Sequence, residues 1–157
     1  MNDHHQQSRR IVVTNRKAQH LYHIIHRVEA GIALQGTEVK SLRAGKVNLT
    51  DAYATFLDKN KLELWLVNLH IAPYEHGSYT NHDPTRPRKL LLHRRELVRL
   101  RSMVEEKGMT IVPLAIYFSG PYAKVELGVV RGKKLYDRRE DIKHRDVERA
   151  MRRLEED

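Results

Sequence analysis

Within the eight residues from Gly132 to Arg139 the chain sets Lys133, Lys134, Arg138 and Arg139 around one tyrosine, Tyr136, with Asp137 as the only acid. Clustered cations neutralise phosphates, and a neighbouring aromatic ring can stack on a base, so this run has the chemistry of a nucleic-acid contact. Asp137 reads equally well as a helix N-cap or a local ion-pair partner. Further on, Val147, Ala150, Met151 and Leu154 form a narrow apolar stripe, and the pairs Asp141/Arg145 and Glu148/Arg152 have helical spacing. Such pairs contribute only about 0.2–0.5 kcal/mol each, and an isolated helix of this length is marginal in water. The segment 132–157 is therefore expected to be a basic, conditionally helical tail that orders on a surface; the plainer reading is a solvated terminal helix packed on the folded domain. Its last residues, RRLEED, turn acidic.

Histidine is the other candidate for chemistry, with ten in the chain. His20, His23 and His26 recur every third residue, a spacing that alternates faces on a strand and gives no local three-ligand site. His82 and Asp83 are followed by Pro84 and Thr85, which favours turn chemistry over metal binding. There is no His-Glu-x-x-His helix, phosphate-cradling glycine loop or Gly-x-Ser-x-Gly elbow, so a His/Asp metal hydrolase is the weakest reading. The absence of cysteine excludes disulfides, thiol nucleophiles and thiolate metal sites. Neither catalysis, a metal nor a cofactor is expected.

A formal charge of +9 on 157 residues, 40% of them apolar, describes one basic domain with a real core and a polyanionic partner. No apolar run approaches membrane-spanning length, and MNDHHQQSRR lacks the apolar stretch of a secretory signal, so the expected setting is soluble and cytoplasmic, with no membrane partner.

The elements that must carry these residues are mostly strands. Residues 1–10 are polar and expected to be disordered. Tyr22, Ile24, Val28, Ala30, Ile32 and Leu34 share the period of a half-buried strand, in which Gly31 suggests a bulge or bend. GTEVKSLRAGK reads as a short helix, capped by Thr37 and stopped by Gly45. AYATFLDKNKLELWLVNLHI reads as a hairpin turning at Asp58–Lys61, and PYEHGSYTNHDPTRPRK as a long loop. Leu97, Leu100 and Val104 mark a long helix ending at Gly108. Two closing strands follow, one burying Val112, Leu114, Ile116 and Phe118, the other Ala123, Val125, Leu127 and Val129. The expected architecture is mainly β: an OB-like antiparallel six-stranded β-barrel over 11–131, with two to three flanking helices, followed by the tail. Small barrels of this kind serve many tasks, so fold alone assigns none.

Four motifs narrow the choice. GTEVKSLRAGKVNL, HDPTRPRKLLLHRREL, AKVELGVVRGKK and YDRREDIKHRD, in this order and at these separations, resemble the SmpB (small protein B) family over roughly residues 15–145. The resemblance implies an OB-like barrel that binds the transfer-RNA-like part of transfer-messenger RNA (tmRNA, SsrA RNA). It also implies a tail that enters the decoding centre, formed by 16S ribosomal RNA, and the empty messenger channel of a stalled ribosome. Elongation factor Tu would be met only indirectly, through alanyl-tmRNA, with the protein a monomer in the complex. By the same resemblance Asn15, Arg16 and Lys17, with Glu29, belong to the RNA-binding barrel. Lys40, Arg43, Arg86, Arg88 and Lys89 are the cations placed on its RNA face. Gly132, Lys133, Lys134, Tyr136, Asp137, Arg138 and Arg139 match the decoding-centre motif, with Tyr136 as the stacking residue. Glu29 is the odd member, because a carboxylate repels phosphate; it would accept from a base amino group, fix a neighbouring arginine, or serve as a purely structural ion pair. The rival that keeps RNA but not rescue is a basic ribosomal or RNA-chaperone protein with an OB-like barrel.

Overall fold

A computed structural model of the chain describes residues 9–75 and 81–132. In chain order the elements are β1 (Arg9–Thr14), α1 (Arg16–Leu21), β2 (Tyr22–Ile32), α2 (Gly36–Arg43), β3 (Val47–Asn48), β4 (Tyr53–Thr55), β5 (Leu64–Val67), β6 (His70–Ile71), β7 (Arg88–Leu91), α3 (Arg94–Lys107), β8 (Thr110–Ser119) and β9 (Tyr122–Gly132). Six antiparallel strands in the order β8-β4-β5-β7-β2-β9 form a ring, closed where β9 pairs with β8. β1 lies outside the ring on the free part of β8, from Ala115 to Ser119, while Ile111 of the same strand edge meets Ala54 of β4. β3 and β6 make a separate two-stranded ribbon.

Three β-bulges shape the barrel, because an extra residue on one strand bends it and flips which face the following side chains occupy. One separates Pro113 from Ala115 in β8. Before it Ile111 points into the core; after it Ile116 and Phe118 do, so Val112 and Leu114 fall on the opposite face. The single alternating face expected for this strand is therefore two half-faces. Val112 and Leu114 are nevertheless buried, because α1 lies over them through Ala18, with Val130, Tyr22 and Ile24 completing this second apolar cluster. β2 behaves likewise: a bulge between Ile24 and His26 puts Tyr22 and Ile24 outside while Val28, Ala30 and Ile32 face the core. The bend expected at Gly31 thus lies six or seven residues earlier. Gly31 instead pairs with both Lys124 of β9 and Leu91 of β7, at the point where β2 exchanges neighbours. The third bulge separates Ile11 from Val13 in β1.

The start of β1 at Arg9 places two of the first ten residues in the sheet, where disorder was expected. Helix α2 begins at Gly36, with Gln35 rather than Thr37 as its N-cap; the Glu38 carboxylate accepts the Gln35 N–H at 2.7 Å. Its end follows expectation: Gly45 at φ +76° lets its own N–H reach the Leu42 carbonyl and the Lys46 N–H reach that of Ser41. Helix α3 packs Leu97, Leu100, Met103 and Val104 onto the core and stops at Gly108, also left-handed. The long loop ends earlier than its composition suggests, since Arg88 and Lys89 open β7. Among the described residues no helix is long and apolar enough to cross a membrane.

Candidate nucleic-acid interface

Of the cations expected on an RNA face, Arg88 is wholly buried. Its Nε donates to Glu38 Oε2 at 2.8 Å, and its two terminal nitrogens donate to the carbonyls of Leu69 (2.5 Å) and Pro84 (3.1 Å). Arg86 closes the same cluster, donating from Nε at 2.9 Å and Nη2 at 2.6 Å to the two oxygens of Glu38, with a quarter of its side chain exposed. Burial pushes the Glu38 carboxyl up, but hydrogen bonds from Arg86, the Gln35 N–H and Arg88 outweigh it and hold the pKa below the ordinary value. Burial lowers the Arg88 guanidinium, and Glu38 offsets only part of this. Arg88 is therefore corrected from RNA contact to framework: it ties α2, the loop before β7 and the β5–β6 connection together. Arg86 shares that task. Glu38 was not singled out in the sequence, where an acid three residues after a helix cap reads as a solvated capping residue.

His82 belongs to the same framework. Its Nε2 lies 2.9 Å from the Ile71 carbonyl and so donates, leaving Nδ1 to accept the Thr37 hydroxyl at 2.9 Å. Asp83 turns the chain by accepting the Thr85 N–H, the turn chemistry expected there. No cluster of three or more metal-ligating side chains occurs among the described residues. Asn15 is also buried: it caps α1 by accepting the Ala18 N–H and donates from Nδ2 to the Pro113 carbonyl, so it positions the helix. It presents Arg16 and Lys17, both exposed, on the first turn of α1.

The remaining cations lie elsewhere on the barrel. Arg43 of α2 is exposed, its guanidinium 4.1 Å from the Phe118 ring; Lys40 is exposed beside Tyr74, and Lys89 faces outward near Glu63 at 3.5 Å. Gly132 ends β9 opposite Tyr22. Lys133, Lys134, Tyr136, Asp137, Arg138 and Arg139 lie outside the described residues.

The strand registers assemble a surface that no single stretch of sequence displays. Ile11 of β1 is opposite Tyr117 of β8, Tyr117 opposite Lys124 of β9, Lys124 opposite Gly31 of β2, and Gly31 opposite Leu91 of β7. This row ends on exposed leucine and holds a dip at Gly31, where an added Cβ would sit 3.4 Å from that of Leu91. Glu29 stands beside the dip with Lys124, Leu92, His93 and Glu96 around the same hollow. The Tyr117 hydroxyl donates to Glu29 Oε2, and Arg9 lies over the Tyr117 ring at 4.1 Å with Nη2 3.6 Å from the same oxygen. Arg9 is raised in pKa chiefly through Tyr117, against the opposing effect of burial. Lysine, apolar leucine and a held carboxylate around an open dip can meet phosphate, a ribose or base face, and a base edge respectively.

The model of the family described as SmpB protein matches residues 12–157. The chain belongs to the SmpB family. Relatives include an SsrA-binding protein of Carboxydothermus hydrogenoformans, 55% identical over 91% of this chain and 97% of its own length. Another, from Chloroflexus aggregans, is 58% identical over 91% of this chain and 89% of its own. A chain from the solved structure described as "tmRNA-SmpB: a journey to the center of the bacterial ribosome" superposes with a TM-score of 0.67 at 58% identity, covering 90% of this chain and 94% of that one. For an SmpB-family barrel the Glu29, Lys124 and Leu91 face is the candidate RNA surface. Glu29 was legible in sequence; Lys124 and Leu91 were not, since an isolated lysine and one of three consecutive leucines become partners only through register.

Burial, then the hydrogen bond to Glu29, push the Tyr117 hydroxyl up to about 12 from its ordinary 10.0. Folded Tyr117 holds its proton more tightly than the unfolded chain does, so its contribution to stability is complete below pH 10.0 and is lost as pH rises toward 12. An alkaline titration followed at the tyrosinate absorbance is expected to show a late-ionising component that disappears in Tyr117→Phe. Superimposable curves would contradict the assignment.

Proposed function

We propose that this protein binds tmRNA through the Lys124–Gly31–Leu91 face of its barrel and acts with it in trans-translation, the rescue of stalled ribosomes in the cytoplasm. Family membership supports the RNA and the ribosome; the observation that favours this face as the contact is the row of registers that sets Lys124 and Leu91 around the dip beside Glu29. Arg16, Lys17, Lys40, Arg43 and Lys89, all outside the buried Glu38 cluster, extend the electrostatic footprint. The segment after Gly132 is assigned to the ribosome, with Gly132, Lys133, Lys134, Asp137, Arg138 and Arg139 flanking Tyr136 as it stacks on a base of the decoding centre, and elongation factor Tu met only through the aminoacylated RNA.

The test is equilibrium binding of transcribed tmRNA across a range of salt. Lys124→Ala is expected to reduce the slope of log affinity against log salt by about 0.7–0.9, the value for one phosphate contact. Leu91→Ala is expected to weaken binding with the slope unchanged, because it removes apolar contact and no charge. If both variants bind tmRNA as the parent does, the interface lies elsewhere on the barrel.

A further inference from the structure

We propose that Arg9 and Tyr117 are positioning residues that set the Glu29 carboxylate to accept a hydrogen bond from an exocyclic amino group of an RNA base, making Glu29 a reader of base identity. The inference rests on the RNA face argued above and adds what its acidic member does there. Both restraints on Glu29 converge on one oxygen: the Tyr117 hydroxyl and the Arg9 guanidinium address Oε2. Among the described residues Oε1 has no partner, and half of the side chain is exposed. A carboxylate fixed by one oxygen presents the other as an acceptor in a known direction. Phosphate is repelled from it, so the group it meets on RNA must be a donor; of the donors whose presence depends on the base, the amino groups of cytosine, adenine and guanine stand out from the base edge, whereas the imino N–H groups of guanine and uracil lie within the ring.

The surroundings fit a functional arrangement better than a sheet-stabilising one. Glu29 is directly opposite Glu126 across β2 and β9, and like charges in that relation destabilise a sheet. Each acid has its own arginine, Glu126 through Arg27 at 3.2 Å and Glu29 through Arg9. Tyr117 is itself 2% exposed and its ring lies under Arg9, so it offers no free stacking surface and acts through the hydroxyl it points at Glu29. An exposed glutamate left free would lose side-chain entropy on binding, a cost reduced when the carboxylate is already held.

The experiment measures binding of transcribed tmRNA to the full-length parent, Tyr117→Phe, Arg9→Lys, Glu29→Ala and the two double variants with Glu29→Ala. Tyr117→Phe leaves the carboxylate held by Arg9 alone and removes no RNA contact itself, so it is expected to weaken binding by up to roughly tenfold, with the salt slope unchanged. Arg9→Lys keeps the charge but loses the planar stacking, and should weaken binding in the same sense. In the Glu29→Ala background neither change should matter further, which a merely structural role would not produce. Equal losses with and without Glu29 would overturn the proposal. Normal binding by Glu29→Ala while Lys124→Ala fails would also overturn it and leave the RNA face standing. Normal binding by Glu29→Ala, Lys124→Ala and Leu91→Ala together would remove the face itself.

Discussion

Arg88→Ala is expected to lower the unfolding free energy by roughly 3–5 kcal/mol, the usual consequence of removing one partner of a buried ion pair. Small domains have only about 5–15 kcal/mol in total, so the variant should lose a large share of its stability. Three losses combine. The Glu38 carboxylate, itself wholly buried, loses the donor at 2.8 Å, and the carbonyls of Leu69 and Pro84 lose theirs. A void the size of a guanidinium and its stem opens where α2, the loop before β7 and the β5–β6 connection meet. The urea midpoint of Arg88→Ala against the parent checks this, and a midpoint shift worth less than about 1 kcal/mol would show that the cluster is not a framework. Lys89→Ala, on the same strand but facing outward beside Glu63, is expected to stay within about 0.5 kcal/mol of the parent. The pH dependence carries the same signature. Because Glu38 is held below its ordinary value of 4.5, its contribution is complete above that pH and is lost as pH falls through the lower folded value. Glu38→Gln should be less stable at neutral pH yet show a flatter acid limb.

The barrel was legible in sequence because period-two hydrophobicity survives most of its strands, and the stops at Gly45 and Gly108 because only a left-handed residue closes those helix ends comfortably. What the pattern concealed was the bulges. In β8 the apolar residues 111–118 are all buried, and a single extra residue at Leu114 decides which look inward. Nothing in an unbroken apolar run marks that residue. Helix α1 escaped for a related reason: at six residues it shows too little periodicity to register, and its one buried side chain is an alanine. The candidate site divided along charge. Arg86 and Arg88, in a proline-broken loop rich in cations, read as surface; their partner Glu38 lies some fifty residues away and only the fold brings it within 3 Å. The exposed face escaped for the opposite reason, being built one residue at a time from five strands.

Removing residues 133–157 is expected to leave binding of isolated tmRNA nearly intact while abolishing peptide tagging on stalled ribosomes. The argument begins with where the chain leaves the barrel. Gly132 pairs with Tyr22 at one end of the β2/β9 ladder, and Lys124 pairs with Gly31 at the other. Eight residues of strand, at about 3.3 Å each, separate the two by roughly 26 Å. The tail therefore starts well away from the proposed RNA face, and its cations are available to another polyanion. A stalled ribosome supplies one, because a decoding site without messenger is a channel walled by RNA, and a rescue RNA without an anticodon leaves that site for protein to fill. On this proposal occlusion would make the choice selective, since messenger already in the channel would compete with the tail. Within the segment the largest single effect is expected at Tyr136, set between two lysines and two arginines that can grip phosphates on either side. Stacking on a base is worth about 1–3 kcal/mol by alanine substitution, or about 5- to 150-fold. It needs a ring but no hydroxyl. Tyr136→Phe should retain tagging, Tyr136→His should be tolerated, and Tyr136→Ala should lose it with free-RNA affinity unchanged. An active alanine variant would leave the tail to work by charge alone, and an inactive phenylalanine variant would transfer the role from the ring to the hydroxyl.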